Sequence, residues 1–248
     1  MNFSVLRFDT IDSTNTEAAR QARLGADEGL CIVSKQQTSG RGRQGRKWTS
    51  PKDAGIYLSI VLRPKIETAS LPLITLASAI AVHDVIKSLG LQPDIKWPND
   101  VLVNEKKISG ILSEAVETDG GLAVIVGIGI NVTADSFPPE LSNSATSIES
   151  ETGTADTFFE LESSLIEHFG KWYGDICDVV GRESIIKEWI HRSSYANGKE
   201  VKVTLASEMV TGVTDGLEPN GALRVRKDGG NIIFVQAGDV ERLRPAAA

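Results

Sequence analysis

Apolar and polar positions follow two different periods along this chain, and where the period changes marks its elements. From Leu71 to Leu89 the residues Leu73, Leu76, Ala77, Ile80 and Val85 recur at helical spacing, which predicts a long, well-buried helix ending at Gly90. GIYLSIVL (55–62) is apolar enough to be a mostly buried strand, and LCIVSKQ (30–36) is a β-rich run. Before them, VLRFDTIDST starts extended and leads to Thr14-Asn15-Thr16-Glu17, where a hydroxyl followed three residues later by Glu reads as a capping box opening a helix that ends near Gly25. DIKW, VLVN, KISGILSEAV and LAVIVGIGINV follow, separated by turn signals at Asn104-Glu105 and Asp119-Gly120-Gly121. That order predicts consecutive antiparallel hairpins rather than βαβ repeats. Helices are predicted again at about 157–172 and 182–191. After Tyr195, short runs broken by Asn197-Gly198, Asp215-Gly216, Asn220-Gly221 and Gly229-Gly230 predict a small β-barrel, with a disordered PAAA tail. The fold class is therefore α+β, a mixed and largely antiparallel sheet with helices in residues 1–194 and a β-barrel in 195–248.

Composition narrows what such a fold does. The 248 residues carry 26 Lys and Arg against 33 Asp and Glu, a formal charge of -7, which argues against a protein that coats nucleic acid. Cys31 and Cys177 form no CxxC, so neither a disulfide framework nor a zinc site is suggested. No basic segment with an apolar core opens the chain, and no stretch is expected to reach the roughly 18 apolar residues of a membrane span. The expectation is a cytoplasmic protein with no membrane partner.

Against this acidic background, residues 40–47 hold four cations (Arg41, Arg43, Arg46, Lys47) and three glycines. Arg offers forked donors matched to phosphate or carboxylate oxygens, and glycine lets backbone approach a ligand closely. A solvated basic loop or a nucleic-acid tether explains that composition equally well, although Trp48 and the flanking strands favour a structured site. Lys96-Trp97-Pro98-Asn99-Asp100 reads either as a core Trp with a turn or as a kinked strand end in which Asp100 holds Mg²⁺. Lys107 enters the strand KISGIL, where Gly110 leaves room for close approach, and GIGIN (127–131) is a strand end without the GxGxxG of a dinucleotide site.

Singly these motifs are weak, but their order is specific: Ser13-Thr14-Asn15, Gln37 before GRGRQGRKW, KWPND, KISGIL and GIGIN. The series resembles the biotin protein ligases, in the short form without an N-terminal DNA-binding domain, across about residues 5–135. The resemblance implies a catalytic fold like that of class II aminoacyl-tRNA synthetases with an SH3-like C-terminal barrel. It implies that Ser13, Thr14, Asn15, Gln37, Arg41, Gly42, Arg43, Lys107 and Gly110 bind biotin, and that Arg41, Arg43, Arg46, Trp48, Lys107 and Asn131 bind ATP or the adenylate. Lys107 and Arg43 are the implied catalytic residues, Asp100 the implied magnesium ligand, and 132–147 a loop over the adenylate, mobile by its Pro and Ser content. The implied activity uses ATP and Mg²⁺ to make biotinyl-5′-AMP, then biotinylates a lysine of a biotin carboxyl carrier domain, with a homodimer allowed and no repressor role. The rivals are a lipoate ligase or octanoyltransferase on the same fold, and a non-enzymatic nucleic-acid-binding module.

Overall fold

The computed structural model describes residues 1–154, 158–205, 208–236 and 238–242; the PAAA tail lies outside the described residues. The strands β1 (Ser4–Phe8), β2 (Leu30–Ser34), β3 (Gly55–Leu62), β4 (Pro93–Lys96), β5 (Asp100–Val103), β6 (Lys106–Thr118) and β7 (Gly121–Asn131) form one sheet. Its order is β1-β2-β3-β7-β6-β5-β4, parallel only between β1 and β2. The hairpin expectation holds, because β4 to β7 pair with their sequence neighbours.

Helices cover the two faces unequally. α1 (Thr14–Arg23) lays Ala18 and Ala22 on Ile32, Val61, Val116, Ala123 and Ile125. The other face carries α2 (Pro72–Ser88), α4 (Phe158–Ile176) and α5 (Val179–His191), whose side chains join every alternate residue of β3 in the main core. β3 is buried along its whole length because both faces are covered, as its unbroken apolar run requires. A five-residue helix, α3 (Ile148–Thr152), has no counterpart in the sequence pattern; it is capped by Ser147, whose Oγ accepts from Ser150 N at 3.2 Å.

One expectation needs correcting: residues 68–88 are long and apolar enough, by length and composition, to cross a membrane. The segment is apolar because α2 sits between the sheet and two helices, with Leu73, Ile74, Ala77, Ile80 and Val82 fully enclosed. A half-buried carboxylate ties that layer together. Asp84 on α2 accepts from Trp172 Nε1 at 2.9 Å on α4 and from Arg192 Nε at 3.1 Å after α5.

The second sheet contains β8 (Asn197–Thr204), β9 (Met209–Leu217), β10 (Leu223–Arg226), β11 (Ile232–Val235) and β12 (Asp239–Arg242), in the antiparallel order β11-β10-β9-β8-β12. This is the small SH3-like unit expected there; β11 and β12 do not pair with each other among the described residues. Trp97, beside the cis Trp97–Pro98 bond, donates from Nε1 to Gly221 O at 3.0 Å and joins the two sheets.

Candidate active site

The floor of the site is a patch of sheet that three glycines leave bare. Gly110 of β6 pairs with Gly129 of β7, and Leu112 pairs with Gly127 beside Ser59 of β3. A Cβ at Gly127 would lie 2.0 Å from Asn15 Oδ1, one at Gly129 2.4 Å from Trp48 Cε2, and one at Gly110 2.9 Å from Lys107 Cε. The bare backbone thus lets the start of α1, Trp48 and Lys107 settle directly on the sheet.

Polar side chains line one end. Gln37 Oε1 accepts from Thr14 N at 2.8 Å and from Thr14 Oγ1 at 3.0 Å, while Gln37 Nε2 donates to Ser50 Oγ at 2.8 Å. Ser59 Oγ, fully buried, lies 2.7 Å from Thr14 Oγ1 and 2.6 Å from Asn15 Oδ1. Asn15 Nδ2 donates to Glu114 Oε2 at 2.9 Å. These bonds correct the capping-box expectation. Helix α1 has Ser13 at its N-cap without a side-chain cap, Thr14 turns to Gln37 and Ser59, and Glu17 turns outward to Arg20 and Gln21. The hydroxyls at the helix start serve the cavity instead of the helix.

The basic run folds as a small hairpin over this floor. Arg41 bridges Lys47, Gly42 N donates to Arg46 O at 2.7 Å, and Trp48 N donates to Gly40 O at 3.0 Å. Gly45 takes φ +73 at the tip, a left-handed conformation suited to glycine. Each arginine faces an acceptor of the protein: Arg41 faces Glu114 at 2.5 Å, Arg43 faces Asn99 Oδ1 at 3.1 Å and Gly238 O at 3.4 Å, and Arg46 pairs with Asp239. Burial pulls the Arg43 guanidinium below its usual range, opposed by Asp239 and Asp100, but a guanidinium stays charged throughout. A free polycationic tether is not what this loop forms.

Lys107 reaches the same face through a bulge. Residues three apart on a regular strand point to opposite faces, so Lys107 and Gly110 should diverge. The β5–β6 register shifts between Val101 and Leu102, leaving Ile108 as an extra residue, and the shift returns Lys107 to the side of Gly110. Its Nζ lies 2.6 Å from Asp100 Oδ1 and 5.5 Å from the centre of the Trp48 ring. Segment 132–147, expected to be mobile, is fastened to this strand: Lys107 N donates to Ser144 O at 2.8 Å and Thr146 N to Lys107 O at 2.9 Å.

The cavity between hairpin and floor is lined by Ser13, Thr14, Asn15, Gln37, Arg41, Gly42, Arg43, Arg46, Trp48, Asp100, Lys107 and Gly110. Asn131, also expected at the site, is not on that wall; it is buried beneath Lys107 with its Nδ2 donating to Thr146 O at 2.9 Å. Sequence reasoning missed Tyr57, Asn99, Glu114, Gly127, Gly129 and Asp239 on the wall, and Ser59 beneath it. Glu114 did leave a signal, since it shares the period-two face of Gly110 and Leu112. Asp239 left none, being 193 residues from Arg46. A larger cavity of about 570 Å³ lies mainly on the other sheet face, against Ile111, Ser113 and the start of α2, and contains none of Ser13, Thr14, Asn15 or Gln37. We place the chemistry in the smaller one, where the cations and the polar network converge. No group of three or more His, Cys, Asp or Glu is placed to hold a metal among the described residues.

A sequence model of the biotin/lipoate A/B protein ligase family matches residues 7–131, the stretch that builds this floor, hairpin and polar wall. The chain belongs to this family. As a member of the biotin/lipoate protein ligases it also carries their companion unit, since the biotin protein ligase C terminal domain matches residues 197–243. It is 32% identical over 235 residues to the biotin–[acetyl-CoA-carboxylase] ligase of Paracoccus denitrificans, covering 91% of this chain and 95% of that one. It is 46% identical to the bifunctional ligase/repressor BirA of Bacillus spizizenii over 149 residues, covering 58% of this chain. It spans just under half the length of that relative and of its Bacillus subtilis counterpart, 46% and 48%. Among solved structures, the biotin protein ligase from Aquifex aeolicus in complex with biotin and ATP aligns at TM-score 0.82 and 28% identity, covering 97% of this chain and 99% of that one.

Proposed function

We propose that this biotin/lipoate ligase family member is an ATP-dependent biotin ligase, which activates biotin as biotinyl-5′-AMP and transfers it to a lysine of a biotin carboxyl carrier domain. The observation that carries this reading is the convergence, in one cavity, of a hydrogen-bonding wall (Ser13, Thr14, Asn15, Gln37) with Lys107 and the arginine hairpin. A ureido ring needs closely spaced donors and acceptors, which that wall supplies; a flexible lipoyl chain would not. The names of the Paracoccus and Aquifex proteins support the same substrates.

In the first step a biotin carboxylate oxygen attacks the α-phosphorus, the bond from that phosphorus to the α,β-bridging oxygen breaks and pyrophosphate leaves. Negative charge gathers on the phosphoryl oxygens, and Lys107 Nζ with Arg43 and Arg46 offsets it electrostatically. To do so, Lys107 exchanges Asp100 for the substrate, and Arg46 exchanges Asp239. Mg²⁺ takes few protein carboxylates and keeps phosphate and water ligands, so the single carboxylate of Asp100, whose Oδ1 already meets a cation in Lys107 Nζ at 2.6 Å, fits it; bound there, the ion would neutralise phosphate charge. In the second step the acceptor amine attacks the acyl carbon, the C–O bond to AMP breaks, and the amide forms with loss of a proton. No protein nucleophile is needed.

We place Asn131 as a support for the Lys107 backbone beside the adenine, the division near residue 194 as the domain boundary, and the reaction in the cytoplasm. The open edge at β1, with Val5 and Leu6 exposed, is where a homodimer would pair, and sedimentation at micromolar concentration decides its existence. Transfer is tested by incubating the protein with biotin, ATP, Mg²⁺ and an isolated carrier domain. A mass increase of one biotinyl group on the carrier lysine supports the reading; no increase, with a lipoyl or octanoyl adduct formed in parallel reactions, overturns it.

A further inference from the structure

Glu114 touches both halves of the site with a single carboxylate. Its Oε2 accepts from Asn15 Nδ2 at 2.9 Å, and its Oε1 receives Arg41 Nη2 at 2.5 Å. Asn15 belongs to the fixed polar wall: Ser59 Oγ lies 2.6 Å from its Oδ1, Leu112 O accepts from its Nδ2 at 3.3 Å, and Gly127 leaves no space for it to retreat. Arg41 belongs to the hairpin that covers the cavity and pairs there with Lys47. Both amide protons of Asn15 therefore meet protein acceptors, and with Ser59 Oγ on one side of Oδ1 the amide has only the remaining lone pair of that oxygen to offer a ligand. A charge-assisted bond from Arg41 completes the carboxylate.

We propose that Glu114 is a positioning residue that couples the two: it fixes the orientation of the Asn15 amide against the bound head group and, through its other oxygen, holds the arginine hairpin down over the reaction intermediate. This rests on the biotin-ligase reading for its substrate but not for the hairpin contact itself. A glutamine at this position still accepts from Asn15 through its carbonyl, but then turns an NH₂ group toward Arg41, donor against donor. Asn15 stays in register and the hairpin is released. The consequence falls more heavily on retention than on the chemistry of bound substrates.

Two measurements on the full-length protein and Glu114→Gln test this. In the ligand-free protein, trypsin cleavage within residues 41–47 should be roughly five- to tenfold faster in Glu114→Gln, because cleavage follows the population with the hairpin open. With biotin, ATP and Mg²⁺, release of preformed biotinyl-AMP should be about tenfold faster, and the KM for biotin in pyrophosphate exchange should rise by a larger factor than kcat falls. Adding Arg41→Gln to Glu114→Gln should not speed tryptic cleavage at Arg43, Arg46 and Lys47 any further, because the two residues share one contact. Should the amide variant melt early, Arg41→Gln alone, read at the remaining sites Arg43, Arg46 and Lys47, gives the same tryptic comparison with Glu114 still on Asn15. Unchanged tryptic cleavage with unchanged adenylate release would overturn the role of Glu114. If the wild-type protein makes no adenylate from biotin, the substrate reading fails, and the tryptic comparison alone decides the hairpin contact.

Discussion

Lys107 is where one side chain matters most to the proposed chemistry, since it reaches the floor glycines and its partner Asp100 is one that phosphate would replace. Lys107→Ala should slow adenylate formation by roughly 10²–10³ in kcat, the range for losing one preorganised electrostatic contact, with little change in biotin affinity; pyrophosphate exchange measures it. Gly127 makes the opposite kind of prediction. A Cβ there falls 2.0 Å from Asn15 Oδ1, so Gly127→Ala should displace Asn15 and weaken biotin binding by roughly 10–100-fold, read by calorimetry, while leaving Lys107 in place. At this scale the sequence was informative about residue type and less so about use. Thr14 and Asn15 were visible as helix-start residues, yet the hydroxyl expected to cap α1 bonds Gln37 instead. Asn131 was visible as the end of GIGIN, but only the path of 132–147 beneath Lys107 explains its amide.

Among the elements, the apolar runs were the most legible. β3 matches its unbroken run at both ends, and α2 begins at Pro72 and ends before Gly90 as the helical spacing required. Local patterns failed where tertiary bonds decide. The β6 bulge at Ile108 cannot be read from KISGIL, because the shift appears only against β5, and without it Lys107 would point into the core. The helical layer makes a separate, pH-dependent prediction. Burial alone would raise the Asp84 carboxyl, but hydrogen bonds from His83 and Trp172 and the pairing with Arg192 outweigh it and hold it at about 2, below its ordinary 3.8. A depressed acid stabilises the fold above its unfolded value and loses that contribution on protonation. About 2 kcal/mol should therefore be present at neutral pH and disappear as pH falls from about 4 to 2. Asp84→Ala should lose about 2 kcal/mol by denaturant unfolding at pH 7, because the half-buried Arg192 and the Trp172 indole lose their acceptor, and should flatten that acid limb.

Across the whole molecule, the two sheets meet at the hairpin. Arg46 pairs with Asp239 and Arg43 reaches Gly238 O, so the C-terminal sheet supplies an anion to the arginines before phosphate does. Asp239→Asn should leave both sheets folded but slow the loss of the adenylate by roughly two- to fivefold, because Arg46 then gives up only a neutral amide when it turns to phosphate; stopped-flow release of the intermediate reads it. This coupling was the least legible feature, since acidic residues are plentiful along the chain and nothing local marks Asp239. The central claim, that the cavity under the hairpin activates biotin, is tested most directly by offering the protein equal biotin and lipoate with ATP and Mg²⁺, and identifying the bound adenylate by mass. The account predicts biotinyl-5′-AMP with lipoyl-AMP absent; lipoyl-AMP, or no adenylate at all, would contradict it.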